Sequence, residues 1–138
     1  MKRFVLDASV VLAWFLGNPV SPYATQVKHR LLNSARAVVP ALWHLEMANG
    51  FVVAERQHIL TAAEAIRCLI DIEQLTAQIE TNSDLVLPRQ ALSTARSFQL
   101  SAYDAVYLDT ARNLGLPLAT LDQSLRAAAV KAAVELFR

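Results

Sequence analysis

Apolar residues recur along the chain in two alternating patterns, short continuous runs and longer stretches with helical spacing. The run at 4–6 predicts a buried first strand, and the run at 37–39 predicts a second one. Residues 75–79 alternate weakly between apolar and polar side chains and are a candidate third strand. The last strand candidates are Leu116–Thr120 and Val134–Phe137.

The stretches between these runs carry helix signals. Ser21 and Pro22 supply a cap and a first-turn proline, and Thr61 with Glu64 forms a capping box. Three further helices are predicted at 41–55, 101–113 and 123–133. Another begins at Pro88, and its inner face is predicted to carry Ala91, Leu92, Ala95 and Phe98. Strands and helices therefore alternate without a repeat or long linker, which predicts one α/β domain over 1–138 with a central parallel sheet and helices on both faces.

In open parallel sheets, ligands bind beyond the carboxyl ends of the strands. Asp7 and Asp122 come directly after the first and fourth predicted strands, and Glu46 lies in the helix that follows the second. We therefore expect these acids to converge on one edge of the sheet.

Composition narrows the class of protein. Hydrophobic residues make up 54% of the chain and charged residues 18%, so some apolar surface can remain for a partner. The net charge of +1 provides no global attraction to nucleic acid or to an anionic membrane. Cys68 is the only cysteine, which excludes an intrachain disulfide and fits a reducing cytoplasm. The apolar stretch 10–16 is far shorter than the roughly 20 residues that span a bilayer, so no membrane segment is expected.

Two of the acids have alternative explanations that the residues leave open. Asp7 with Ser9 can simply turn the chain. Glu46 has no basic residue three or four positions away, so it needs a partner from elsewhere, either a cation or a distant arginine.

The other two acids stand at predicted helix starts. Asp104 can complete a capping box with Ser101, but a helical wheel places it on the inward face beside Tyr107, and places Asp109 on the solvent face. Asp122 can be the N-cap of the last helix.

Taken together, the four acids point to a metal. Two carboxylates 4 Å apart repel each other by about 4 kcal/mol at an effective dielectric constant near 20, so convergence raises their pKa values unless a cation binds. A set of oxygen ligands favours Mg²⁺ or Mn²⁺ over zinc, and this ion is suited to phosphate esters. His29, His44 and His58 share no motif and are expected at the surface or in packing.

Four segments closely resemble the PIN domain of VapC-type toxins, in order and over essentially the whole chain. They are Phe4-Val5-Leu6-Asp7-Ala8-Ser9, Val39-Pro40-Ala41-Leu42-Trp43 with Glu46 and Asn49, Ser101-Ala102-Tyr103-Asp104-Ala105, and Leu118-Ala119-Thr120-Leu121-Asp122.

The resemblance implies a PIN-like fold and a Mg²⁺- or Mn²⁺-dependent endoribonuclease that a VapB-type antitoxin holds inactive. It assigns the catalytic and metal-binding acids as Asp7, Glu46, Asp104 and Asp122, with Ser9, Asn49 and Thr120 as accessory polar residues. The implied reaction is in-line attack of a metal-activated water on an RNA phosphodiester. The apolar excess, combined with the resemblance, also predicts a homodimer and an apolar groove for a short antitoxin segment.

Two other classes of protein that gather acids at strand ends need residues that this sequence lacks. A phosphoacceptor signalling domain would need paired acids before the first strand, where Lys2 and Arg3 stand, and an aspartyl phosphatase would need an acid at Ser9. A metal-dependent DNA nuclease and a non-catalytic nucleic-acid or partner-binding module remain open.

Overall fold

Two helices separate each strand from the next in residues 2–138, the part of the chain that this computed structural model describes. In chain order the elements are β1 Lys2–Leu6, α1 Ala8–Leu16, α2 Pro22–Asn33, β2 Ala35–Val39, α3 Leu42–Arg56, α4 Ala62–Glu73, β3 Ile79–Thr81, α5 Pro88–Phe98, α6 Ala102–Leu114, β4 Leu118–Ala119 and α7 Gln123–Lys131.

The strands form one parallel sheet in the order β3-β2-β1-β4. Phe4 of β1 pairs with Ala37 of β2, and Val5 pairs with Leu118 of β4. Helices flank the sheet, with α2 packed against β2 and α6 against β1. The predicted α/β class with a central parallel sheet is confirmed. Since parallel strands all end at the same edge, the residues after β1 and β4 are brought together there.

Local helix signals in the sequence correspond to structure. Ser21 accepts a hydrogen bond from the Ala24 backbone N–H at 3.3 Å and caps α2. Thr61 and Glu64 form both halves of the capping box that begins α4. None of the helices within residues 2–138 combines the length and the apolar character needed to cross a bilayer.

Three elements differ from the sequence prediction. The apolar stretch 10–16, which had no element assigned to it, belongs to α1, whose residues are apolar nearly all round and therefore give no helical alternation. The third strand begins later than predicted and covers Ile79–Thr81, while the residues from 75 to 78 form turns. The candidate strand at 134–137 contributes only a single bridge, between Leu136 and Leu118.

Two side chains were assigned to the wrong face of their helices. Asp109 was expected in solvent but is 1% exposed, whereas Leu92 was expected inside but is 50% exposed. The wheel assumed one buried face for α6, but α5 packs along a second face of that helix. Asp109 Oδ1 accepts a hydrogen bond from Thr94 Oγ1 of α5 at 2.6 Å, so Thr94, not Leu92, turns inward.

Candidate active site

A cavity of about 540 Å³ lies at the carboxyl edge of the sheet, and all four predicted acids line it. They come from the end of β1, from α3, from the first turn of α6 and from the start of α7. Ser9 and Asn49 also line the cavity, and apolar side chains such as Leu12 and Leu42 form part of its wall. The structure therefore brings together acids that are up to 115 positions apart in the chain (122 − 7 = 115).

Asp7 is held by two hydroxyl groups. Ser9 Oγ and Thr120 Oγ1 both donate to Asp7 Oδ2, at 2.6 and 2.7 Å, and the Leu121 backbone N–H donates to Ser9 Oγ at 3.0 Å. Asp7 occupies the N-cap position of α1, yet within the described part of the chain its side chain caps no backbone N–H. Burial raises the pKa of Asp7 most, the two hydroxyls lower it, and the charge of Asp122 raises it further. Asp7 is thus fixed toward the cavity rather than used to turn the chain.

Glu46 is half-buried on α3 and accepts a hydrogen bond from the Tyr107 hydroxyl at 2.5 Å on its Oε1. Burial is the main cause that raises the pKa of Glu46. Tyr107 lowers it, and the charges of Asp7 and Asp104 raise it. No arginine or lysine within residues 2–138 forms an ion pair with Glu46, so the alternative of a distant arginine is not what the structure contains.

Asp104 and Asp122 each combine a place at a helix start with a place at the cavity. Ser101 Oγ accepts from the Asp104 backbone N–H at 3.1 Å, so the cap of α6 is made by Ser101 and the Asp104 carboxylate borders the cavity. Burial, followed by the charges of Asp122 and Asp7, raises the pKa of Asp104. Asp122 Oδ1 accepts from the Leu125 backbone N–H at 2.9 Å, which confirms the N-cap interpretation while the residue also lines the cavity.

The two remaining accessory positions differ in burial. Thr120 is fully buried, and besides binding Asp7 its Oγ1 accepts from the Asp122 backbone N–H at 3.0 Å. Thr120 therefore links Asp7 to Asp122 through hydrogen bonds to both. Asn49 lies one turn after Glu46 on α3 and is exposed at the cavity wall.

A divalent cation fits the chemistry of this donor set. The side chains facing the cavity offer carboxylate, amide and hydroxyl oxygens, which Mg²⁺ and Mn²⁺ prefer. In the portion of the chain that is described, no three histidine, cysteine or acidic side chains stand close enough to form a ready coordination shell. Mg²⁺ commonly keeps several waters and binds only one or two carboxylates directly, so an open arrangement of acids is compatible with it.

Tyr107 is a residue of the site that was not predicted from the sequence. The helical wheel places it on the inward face beside Asp104, with no role in the site. A fully buried tyrosine hydroxyl nearly always needs a hydrogen-bond partner, and that was the signal available. Burial, followed by the hydrogen bond to Glu46 and nearby negative charge, raises the pKa of Tyr107 far above its ordinary value, so the hydroxyl stays protonated.

Comparison with known proteins decides the family. A family model described as the PIN domain matches residues 4–131, which is nearly the whole chain. The chain belongs to the PIN domain family. PIN domains are nucleases, and in this PIN domain the four acids line one cavity at the carboxyl edge of the sheet.

Solved structures share the fold at low sequence identity. FitAcB from Neisseria gonorrhoeae is 20% identical with a TM-score of 0.67, and the match covers 98% of this chain and 96% of that one. A toxin–antitoxin complex from Klebsiella pneumoniae is 17% identical with a TM-score of 0.58 and covers 86% of each chain. VapC20 of Mycobacterium tuberculosis, a sarcin–ricin loop cleaving toxin, is 14% identical with a TM-score of 0.58, covering 91% of this PIN domain and 94% of that chain. No curated protein sequence is significantly similar to the chain.

Proposed function

We propose that this PIN domain is the toxin of a toxin–antitoxin pair of the VapC type, a cytoplasmic Mg²⁺- or Mn²⁺-dependent endoribonuclease formed by one domain over residues 1–138. The observation that carries the proposal is the cavity at the carboxyl edge, which Asp7, Glu46, Asp104 and Asp122 line together. The choice of RNA draws on the likeness in fold to VapC20, a sarcin–ricin loop cleaving toxin.

The chain's own part in hydrolysis is to hold carboxylate oxygens in fixed orientations toward the cavity, where a cation can bind. Ser9 and Thr120 both bind Oδ2 of Asp7, and in the described residues they leave Oδ1 without a side-chain donor. Oδ1 of Asp122 is used to cap α7, so its Oδ2 is the oxygen that remains for the site.

A divalent metal ion would complete the site. When bound, Mg²⁺ or Mn²⁺ would lower the pKa of a water molecule and neutralise charge that develops on the phosphate. Asp7, Glu46, Asp104 and Asp122 would hold it, with Asn49 at the cavity wall. In the overall reaction a water oxygen bonds to phosphorus, the bond to the 3′ oxygen breaks, and the proton of the water passes to that oxygen.

Matched oligonucleotides test the reaction. We expect the purified protein to cut an RNA in the presence of Mn²⁺, to leave the DNA of the same sequence intact, and to lose the activity in EDTA. Asp71→Asn, on the exposed side of α4, is the control that should cut RNA as the wild type does. Equal cleavage of the DNA would make the protein a DNA nuclease, and absence of metal-dependent cleavage on any RNA tested would favour a binding module.

The proposed antitoxin partner has a candidate surface. Val52 of α3 and Ile66 and Ile70 of α4 are 39%, 58% and 47% exposed on two helices that pack together. Ile66 and Ile70, four positions apart, lie on one face of α4, and exposed apolar side chains that share a face are typical of a protein interface. On co-expression with the product of the adjacent gene, Ile66→Asp with Ile70→Asp should abolish co-purification. Leu85→Asp, at another exposed leucine, should not. Light scattering of the free protein tests the proposed homodimer.

A further inference from the structure

The hydrogen bond between Tyr107 and Glu46 joins α6 and α3, two helices that both contribute residues to the lining of the cavity. Tyr107 lies on α6, one turn after Asp104, and its side chain is fully buried. Glu46 lies on α3, and its carboxylate oxygen Oε1 accepts a hydrogen bond from the Tyr107 hydroxyl at 2.5 Å. Its other oxygen, Oε2, has no hydrogen-bond partner among residues 2–138.

We propose that Tyr107 is a positioning residue for the metal site, which sets the orientation of the Glu46 carboxylate and presents Oε2 to the cation. The inference rests on the proposed metal-dependent function. Helix α6 would then contribute to the site twice, through the Asp104 carboxylate directly and through Tyr107 by way of Glu46.

The surroundings of the two side chains support this role. A glutamate has three rotatable side-chain bonds, and no neighbour on its own helix pairs with Glu46, so without Tyr107 its carboxylate would sample several orientations. Tyr107 can fix the orientation of this carboxylate because its ring is packed in the hydrophobic core. Groups that orient metal ligands in this way commonly change metal affinity or activity by about 10- to 100-fold when removed.

Tyr107→Phe removes the hydroxyl and retains the ring, and the chain offers a matched control. Tyr23 is another tyrosine whose hydroxyl is hydrogen-bonded within the fold, donating to the Phe137 carbonyl oxygen at 2.6 Å, and it does not line the cavity. Tyr23→Phe therefore measures the cost of losing such a hydroxyl away from the acids.

The test is Mn²⁺ binding by calorimetry to the metal-stripped wild type, Tyr107→Phe and Tyr23→Phe, with thermal melts of each. We expect Tyr107→Phe to weaken Mn²⁺ binding about tenfold or more and Tyr23→Phe to leave it unchanged, and excess Mn²⁺ should restore most of the RNA cleavage of Tyr107→Phe. Wild-type affinity in Tyr107→Phe, or an equal loss in Tyr23→Phe, would overturn the inference. A wild type that binds no Mn²⁺ would instead contradict the proposed function on which the inference depends.

Discussion

At the scale of single residues, burial rather than mutual repulsion is the main cause of the raised pKa values of Asp7, Glu46 and Asp104. Clustering was expected to raise their pKa values by like-charge repulsion. The pKa values of Asp7, Glu46 and Asp104 are raised, but desolvation is the largest cause for each and the neighbouring charges add less. Asp109 follows the same rule away from the cavity, since burial raises its pKa while Thr94 and Arg112 lower it.

Asp104 and Asp109 lie five positions apart on α6. Variants at these two positions distinguish a role in the site from a role in the fold. Asp104→Asn should abolish RNA cleavage, because it removes a carboxylate charge that borders the cavity. Asp109→Asn should retain most cleavage, since Asp109 does not line that cavity and an asparagine oxygen can still accept from Thr94. Cleavage with Mn²⁺ is measured for both variants, with circular dichroism as the check on folding. Equal losses in two folded variants would show that the cavity is not the site of the reaction.

At the scale of secondary-structure elements, the wall of the cavity depends on how closely α1 and α3 approach each other. Gly50 of α3 meets the Leu12 side chain of α1, and a Cβ built at Gly50 would lie 2.5 Å from Leu12 Cδ2. Glycine therefore leaves room at this point for the Leu12 side chain, although it weakens a helix interior by about 1 kcal/mol relative to alanine. Both residues line the cavity with the acids.

Gly50→Ala should destabilise the fold by about 1 kcal/mol, because the overpacking cost of roughly 1–3 kcal/mol exceeds the gain in helix propensity. Leu12→Ala should also destabilise the fold, through the loss of apolar contacts of a partly buried side chain. The double variant should be more stable than the sum of the two losses predicts, since the smaller side chain makes room for the new methyl group. Urea unfolding of the four proteins gives the coupling, and strictly additive losses would contradict the close contact.

At the scale of the whole molecule, the sheet gathers acids whose protonation is linked to folding. Asp7, Glu46 and Asp104 all have folded pKa values above their ordinary ones, so the folded state binds these protons more tightly than the unfolded state does. Their contribution to stability is fully present below the unfolded pKa values, near 4, and is lost as the pH rises through the raised folded values.

The metal-free protein should therefore become less stable as the pH rises above about 4, and Mn²⁺ should restore stability in proportion to RT ln(1 + [Mn²⁺]/Kd). Asp7→Asn should be more stable than the wild type in EDTA near neutral pH, by about 1 kcal/mol, while losing cleavage and most of the stabilisation by Mn²⁺. Thermal melts of both proteins in EDTA and in Mn²⁺ make the comparison. A variant that melts well below the wild type in EDTA would show that Asp7 is needed for the fold.

The sequence by itself determined the features that depend on neighbouring residues. Helix starts at Ser21 and Thr61, the apolar strands and their alternation with helices follow from local chemistry, and these predict the parallel sheet. Because the ends of parallel strands meet at one edge, the order of elements was also enough to predict that Asp7 and Asp122 converge.

Only the tertiary structure decided features that depend on which surfaces cover each other. α1 is apolar nearly all round, so its periodicity could not reveal a helix, and the burial of Asp109 follows from α5 packing on α6. The partner of Glu46 was likewise undetermined, since Tyr107 is 61 positions away. A helical wheel describes one helix in isolation, whereas burial and hydrogen bonding between distant residues are properties of the packed chain.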